Sequence, residues 1–491
     1  SVLPLGFAHG FASYLANYPY ACTEQIVSQA VPALVLAARP EFGYVRKEKG
    51  ASLPALLAEL RSRQNDAGAY KLWAGGDEVV EFVSIYAQHL LLEAQERGAS
   101  VPQDLLDRGN QYLRALAARD GNNLTDERNA AYAIYLLTRQ GQRMAAELAA
   151  IQKRLDERYR DTWRQDLTAA WLAAALDLMQ QRDGERLIKG VRTGAGAETY
   201  NDAMTQDAWL LYLTARHFPE RLPGLPATQM STLAERVNRG EYHSLAAGTT
   251  LLALDAYATA AGDKNAELSI AEVLRDRTAR DLKLPEGLFP KTSFTADAVA
   301  LRFGNASDLP AYYLVEQSGF DRKPPAQALK EGLEVIREYT DAQGKVLTQI
   351  KMGQEVNVHL KFRSLKSQPI DSVALVDLLP GGFDLVVPQA PAESRFAEAA
   401  AVGEEGGESA YTGWTCAVCA SGSQARLQYA DMREDRVVFY ATATSEVQQV
   451  VYRIKATNVG TYTVPPAYGE AMYEPSVKAR SMAGKLKVVR P

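Results

Sequence analysis

Along the first 285 or so residues, apolar side chains recur at intervals of three and four, and Gly, Pro, Asn and Asp interrupt them. That period predicts helices over 2–17, 53–64, 80–97, 104–118, 127–140, 145–159, 166–180, 202–216 and 249–261. With the weaker segments between them the number reaches about a dozen, and no strand pattern intervenes. Repeats of ankyrin or tetratricopeptide length are missing, which disfavours a stacked solenoid. Paired helices wound into an α/α toroid fit best.

Near Phe289 the pattern changes to short alternating runs, the mark of half-buried strands. Strands are expected over 293–303 and, after a turn at 305–310, over 312–317. A linker carrying Pro324 and Pro325 follows at 320–330. Beyond it, runs at 333–339, 355–364, 373–379, 426–432, 436–444, 448–457 and 460–464 have the spacing of one β-sandwich of about 160 residues. Its unusual insert is an Ala- and Gly-rich stretch over 392–421 that holds Cys416 and Cys419. The fold class expected is multidomain, α then β: an α/α toroid followed by an antiparallel β-sandwich.

The length of 491 residues fits two to four domains at about 100–200 residues each. With 47% apolar and 23% charged residues the chain is neither disordered nor fibrous. Its net charge of -5 is spread out, giving no basic stripe for nucleic acid and no cationic run for a membrane surface. The longest apolar stretches, such as 169–179, stop well short of the ~20 residues of a membrane span. The chain opens at Ser1 without a basic n-region or an apolar signal core, and reads as an excised fragment.

The segment that carries chemistry is Tyr18-Pro19-Tyr20-Ala21-Cys22-Thr23-Glu24-Gln25. A Cys and a Gln three positions on share one face of a helix start, so the thiol can displace the carboxamide nitrogen as ammonia and close an internal thioester. Such a bond is a stored acyl donor. A nucleophile that attacks the Gln25 carbonyl becomes covalently attached and releases the Cys22 thiol. Taken alone, the same residues read equally as a buried Cys beside polar neighbours at a helix N-terminus.

Context favours the first reading. The Tyr-Pro-Tyr run before Cys22, the segment Leu72-Trp73-Ala74-Gly75-Gly76, and the later run from Tyr86 through His89 to Ala94 resemble the thioester domain of bacterial α2-macroglobulins. At the other end, the stretch from Pro465 to Pro475, with Met472 and Tyr473, resembles the covering loop of that family's terminal macroglobulin domain. The resemblance spans nearly the whole chain. It implies a toroid thioester domain over 1–289, the returning half of a CUB-like β domain over 290–325, and a terminal receptor-binding-type sandwich over 326–491. By the same resemblance Tyr18 and Tyr20 shield the thioester from the toroid side, and Met472 and Tyr473 from the sandwich side. Water and stray nucleophiles are thereby excluded until release. Ala21 and Thr23 depart from the residues usual beside the Cys in this family.

What the resemblance implies is an endopeptidase inhibitor and not an enzyme. A protease cuts a bait segment elsewhere in the full-length protein, the shell rearranges, and the protease is trapped and linked covalently through Gln25. It further implies a bacterial defence role, a periplasmic lipoprotein anchored to the inner membrane through a segment absent from this chain, and a periplasmic penicillin-binding protein or operon product as a partner. No cofactor is implied. Two other classes stay open: a periplasmic scaffold with a vestigial thioester, and an α/α-toroid glycosidase or lyase using carboxylates such as Glu78, Asp202 and Asp207.

Cys416 and Cys419 lack the further ligands a zinc site needs, and their surroundings do not resemble a thioredoxin-like fold. A local disulfide formed in an oxidising compartment is the simplest account. His9, His89, His217 and His243 have no metal-binding spacing, and no metal site is read.

Overall fold

The computed structural model describes residues 6–36, 52–160, 162–224, 235–261, 267–285, 291–306, 311–315, 317, 327–387 and 416–491. They form two compact units, the first running to Gln317 without Gly75–Asp77, the second running from Ser318 and counting Gly75–Asp77 with it.

In the first unit, helices buried along one stripe alternate with helices buried over most of their length, and that difference sorts them into two layers. The sequence Leu-Thr-Ala-Ala-Trp-Leu-Ala-Ala-Ala-Leu starting at Leu167 has no polar face, and all ten of its residues are buried. Five more helices of this kind complete an inner set: α2 (Thr23–Val35), α4 (Glu81–Glu96), α6 (Leu124–Arg139), α10 (Ala203–His217) and α11 (Ser244–Ala261), with α8 (Leu167–Leu178) between α6 and α10. Neighbours in that order pack together, and α11 packs back on α2, so the ring closes. The outer layer comprises α1 (Gly6–Ala16), α3 (Leu53–Arg63), α5 (Gln103–Ala118), α7 (Ala145–Arg158) and α9 (Asp183–Gly190). These have a single buried stripe, as α5 illustrates with Leu105, Leu106, Gly109, Leu113, Leu116 and Ala117. This is the α/α toroid the pattern predicted. Because successive helices run antiparallel, the inner helices are parallel and their N-termini gather at one mouth.

Two expectations for this unit change. The helical pattern expected to run to about residue 285 ends at Ala261: β3 (Leu268–Leu274) and β4 (Ala279–Leu282) are strands, paired with each other and with β5 (Ala298–Asn305) in the order β4-β3-β5. Their Leu, Ala and Glu content suits a helix, but Arg277, with φ +68°, makes the tight turn of a hairpin between them. The run 312–317 is not a strand where it is described. Its tyrosines pack instead of pairing, Tyr313 stacked on Phe303 at 4.0 Å and Tyr312 edge-on to Phe7 at 6.2 Å. A small hairpin, β1 (Ala197–Glu198) with β2 (Asn201–Asp202), precedes α10.

The second unit is a sandwich. One sheet has the order β12-β13-β10-β16-β17-β6, the other β11-β14-β9-β7, with a smaller sheet β15-β18-β8. In chain order these are β6 (Leu329–Glu331), β7 (Leu333–Thr340), β8 (Gln349–Lys351), β9 (Glu355–Ser364), β10 (Ile370–Leu378), β11 (Phe383–Val386), β12 (Leu427–Met432), β13 (Arg436–Ala443), β14 (Gln448–Ala456), β15 (Gly460–Val464), β16 (Tyr468–Ala471), β17 (Glu474–Arg480) and β18 (Gly484–Val489). Pairing is antiparallel except for β18 with β8. Strand β9 alternates buried Val356, Val358, Leu360 and Phe362 with partly exposed Asn357, His359 and Lys361, the period-two pattern that fixes register. The stretch 465–475, expected as a loop, is largely the hairpin of β16 and β17, with Met472 and Tyr473 as its two-residue turn. Part of the expected linker over 320–330 and the insert up to residue 415 lie outside the described residues. No described helix is long and apolar enough to cross a membrane.

One charged pair lies inside the sandwich. Asp377 is fully buried, bonded to the Arg337 guanidinium and accepting from the Tyr452 hydroxyl at 2.9 Å; Arg337 also donates to the Pro465 carbonyl. Removing one member strands the other in an apolar core. Arg337→Met should therefore lower the stability of the sandwich by about 3–5 kcal/mol. Lys361→Met, which breaks the more exposed pair with Glu338, should cost under about 1 kcal/mol. Chemical denaturation of both variants beside wild type checks the difference.

Candidate functional site

Helix α2 begins inside the closed ring, and its first N–H groups have no partner in the preceding turn. The chain satisfies them locally and from afar. Cys22 is the N-cap residue, extended at φ -65° and ψ 167°, and Gln25 stands three positions on. The pair forms a capping box: the Cys22 N–H donates to Gln25 Oε1 at 2.9 Å, and the Cys22 side chain takes the Gln25 N–H. The Gln25 carboxamide is thereby folded back over the residue that bears the thiol. Both residues are buried, Cys22 at 1% exposure and Gln25 at 0%.

Neighbouring residues clamp this turn from three directions. The Thr23 N–H donates to the Leu72 carbonyl at 2.8 Å, and the Thr23 hydroxyl to the Lys71 carbonyl. Arg63, at the end of α3, donates to Thr23 Oγ1 at 3.1 Å and to the Leu72 carbonyl at 3.3 Å. Glu24 is fully buried, and its two oxygens accept from Ser28 at 2.6 Å and from Ser244, the first residue of α11, at 2.8 Å. A carboxylate at a helix N-terminus is favoured by the aligned peptide dipoles. Ser28 also meets the Tyr86 hydroxyl of α4 at 3.0 Å. Burial, and secondarily the Glu24 charge, push the Tyr86 phenol well above its ordinary range, so it stays neutral. Gly248 admits this junction, since a Cβ there would lie 2.7 Å from the Tyr86 hydroxyl oxygen.

Tyr20 is buried and Tyr18 half-buried, their rings edge-to-face at 5.4 Å. Gln29 of α2 holds that approach by donating to the Tyr20 carbonyl at 2.8 Å. The structure thus brings Tyr18, Tyr20, Cys22 and Gln25 together at the mouth of the ring. In the second unit, Met472 and Tyr473 form their hairpin tip, tied down by the Met472 N–H donating to the Ser372 carbonyl at 3.0 Å. Ser372 has φ +56° and sits where β10 bulges. Cys416 and Cys419 are joined by a disulfide. Sequence reasoning missed Arg63, Ser28, Tyr86 and Ser244. Only Tyr86 and its helix lay within a segment singled out beforehand.

The other end of the ring is closed by charge. At the C-terminal ends of α4, α6 and α10, Arg139 and Arg216 meet Glu93 and Glu96, and Arg97 bridges Glu93 at 3.0 Å to Asp255 at 2.8 Å. Above this network His89 is fully buried. Arg139 donates to its Nε2 at 2.9 Å, so the proton is on Nδ1, facing the Tyr132 hydroxyl oxygen at 2.6 Å. Two of the three carboxylates considered for hydrolysis have structural employment. Asp202 caps α10 and holds His243, and Asp207 accepts the Gly194 N–H at 2.7 Å. Among the described residues no cluster of His, Cys, Asp and Glu is arranged to hold a metal ion.

A family profile described as the Bacterial Alpha-2-macroglobulin MG10 domain matches residues 332–476. An Alpha-2-macroglobulin homolog of Yersinia pestis is 38% identical over 99% of this chain, and the chain spans 25% of that relative's length. Among solved structures, native alpha-2-macroglobulin of Escherichia coli from domain MG7 to the C-terminus is similar over 100% of this chain and 76% of its own, with TM-score 0.77 and 22% identity. Salmonella alpha-2-macroglobulin reacted with methylamine is similar over 100% of this chain and 31% of its own, with TM-score 0.73 and 22% identity.

Burial pushes the His89 imidazole down to about 4 and His217 down to about 3, the latter helped by Arg216 and Arg139. Both stay neutral in the folded chain at pH values where an unfolded His is protonated. Stability is therefore fully present above about pH 6.5 and is lost as pH falls toward about 4, where the unfolded state binds more protons. Asp207, raised to about 6 by burial, opposes this in part, because it keeps a proton that the unfolded chain has released. The net loss of toroid stability between about pH 7 and 5, followed by denaturation monitored at helical wavelengths, should shrink in His217→Asn.

Proposed function

From the premise that this chain belongs to the bacterial alpha-2-macroglobulin family, we propose that it is the acyl-donor part of a protease inhibitor, with Cys22 and Gln25 joined as a thioester. The observation that carries this reading is the buried reciprocal cap of Cys22 and Gln25 at the start of α2. In closing the bond, Cys22 Sγ adds to Gln25 Cδ, the Cδ–Nε2 bond breaks, and the nitrogen leaves as ammonia with the thiol proton. In the reverse sense, an amine adds to Cδ, the Cδ–Sγ bond breaks, and Cys22 regains a proton that the amine gives up. The Cys22 N–H that meets Gln25 Oε1 is aimed at the oxygen that gains negative charge when a nucleophile attacks. Parallel inner helices add the positive ends of their dipoles at the same mouth.

The chain spans about a quarter of the length of the curated relatives it matches most strongly, so bait cleavage and trapping fall to the longer protein. In that protein a target protease triggers the attack on Gln25, its own amine serving as acceptor, and the inhibitor does not turn over. Residues up to Ala261 are the toroid, the β3–β5 sheet is the returning part of a CUB-like domain, and the sandwich is the terminal domain. Met472 and Tyr473, an apolar tip held by Ser372, are the lid that keeps the thioester dry, and Tyr18 and Tyr20 are its wall. A disulfide at Cys416 and Cys419 suits an oxidising compartment. We place the full-length protein in the periplasm, tethered to the inner membrane, with a penicillin-binding protein as its neighbour.

Intact mass and thiol titration test the acyl donor. The chain should weigh about 19 Da less than its sequence, about 17 Da for the lost ammonia and about 2 Da for the disulfide, and methylamine should add about 31 Da at Gln25 while exposing one new thiol at Cys22. A full-mass chain whose Cys22 thiol titrates from the start excludes the crosslink.

The lid is tested separately by the rate of methylamine uptake. Tyr20→Gly and Tyr473→Gly should react about tenfold or more faster than wild type, and Tyr257→Gly, away from the motif, at the wild-type rate. Equal rates in all four folded proteins would remove the shielding role and leave the thioester itself standing.

A further inference from the structure

A second recess opens at the mouth of the ring, and none of the acyl chemistry uses it. It is a cavity of about 340 Å³ between the first turns of α4, α6 and α8 and the β1–β2 hairpin. That volume lies toward the lower end of small-molecule sites, about 300–1,000 Å³.

Aromatic rings make its apolar surfaces. Tyr132 and Trp171 stack at 3.8 Å, 11° from parallel, and Phe82 and Tyr200 stack at 5.4 Å, 16° from parallel. Flat ring faces of this kind receive another flat or C–H-bearing face.

The charged groups of the lining already have counter-ions. Arg128 donates to both oxygens of Asp166, at 2.9 and 2.7 Å, and to both of Glu198, at 2.7 and 3.2 Å. Glu81 is held by both terminal nitrogens of Arg119. These five groups sum to one negative charge, which disfavours an anion. The close pairing leaves no single carboxylate to draw in a cation.

One group is left over. Asn201 is 6% exposed, and among the described residues its Oδ1 has no hydrogen-bond partner; its Nδ2 reaches Gln206 Oε1, at 3.4 Å. Antiparallel pairing of Glu198 with Asn201 fixes the residue in the hairpin. A buried acceptor without a donor is destabilising. It is a place for an O–H or N–H that the described residues do not supply.

We propose that this cavity binds a neutral pyranose sugar. The axial C–H face of the ring would lie on the aromatic surface, and a hydroxyl or acetamido N–H would donate to Asn201 Oδ1. No bond is made or broken, and the site is independent of the Cys22 to Gln25 reaction.

The test titrates the whole chain with glucose, N-acetylglucosamine and the β-1,4 dimer of the latter, following tryptophan fluorescence and saturation-transfer NMR. At least one sugar should bind saturably with Kd between about 0.1 and 10 mM. Phe82→Ala, at the half-buried rim, and Asn201→Ala should each weaken it about tenfold or more. Arg61→Ala, on the exposed face of α3, should leave it unchanged. Circular dichroism establishes that each variant is folded, and Phe82→Ala decides alone if Asn201→Ala is not. The proposal is overturned if no sugar saturates up to about 50 mM, or if Phe82→Ala binds as wild type does. Tighter binding of tetramethylammonium than of every sugar would also overturn it, by making the recess a cation cage.

Discussion

The first turn of α2 must have its N–H groups satisfied where its residues are fully buried, and much of the toroid mouth is arranged around that need. Ordinary caps use Ser, Thr, Asp or Asn. Here a Cys occupies the cap, and the Gln three positions later completes the exchange. A thiol is a weak partner for an N–H, so the turn leans on neighbours: the Leu72 carbonyl on the Thr23 N–H, Arg63 across both, and Glu24 bonded to Ser28 and Ser244. The geometry that satisfies the helix start also holds a thiol beside a carboxamide. The proposed acyl chemistry rests on the same two side chains that meet this structural demand.

The two ends of the ring are built differently. Parallel inner helices put partial positive charge at one end and partial negative charge at the other. Carboxylates collect at the first, with Glu24, Asp166 and Asp202 near helix starts. Guanidiniums collect at the second, where Arg97, Arg139 and Arg216 neutralise Glu93, Glu96 and Asp255. The middle is filled by His89, Tyr132, Trp171 and Trp209, whose rings lie within 3.8 to 6.5 Å of one another. The ring is plugged, and whatever chemistry it supports belongs to the mouth where α2 begins.

Much of this was legible in the sequence wherever one period dominates. Nine toroid helices and seven sandwich strands fall within a few residues of their expected spans, because a fully apolar helix such as α8 or an alternating strand such as β9 has little other stable choice; α2, α9 and the short strands β6, β8, β11 and β18 had no span of their own. Legibility failed where composition and tertiary packing disagree. Residues 268–282 carry helix-forming Leu, Ala and Glu but are ordered as strands by pairing with β5. At 312–317 an alternating pattern is spent on ring contacts with Phe7 and Phe303. The stretch around Met472 reads as a loop because Pro and Gly interrupt it, yet β10 supplies a ladder for Gly469 and Glu470. Within the site, Cys22 and Gln25 are local and readable. Arg63, Tyr86 and Ser244 come from 40, 58 and 220 residues away along the bonds they make, distances over which sequence period carries no information.

The last of those separations bears on time as well as space. The Glu24 to Ser244 hydrogen bond spans nearly the whole toroid, and α11 meets α2 only where the ring shuts. Contacts so distant in sequence carry the entropy of closing the long loop between them. A growing chain that has emerged only as far as α10 can fold helix pairs, but Glu24 still lacks its Ser244 partner and the wall that α11 provides. Assembly order therefore has a consequence during synthesis: the buried setting around Cys22 and Gln25 is complete only once α11 has been made.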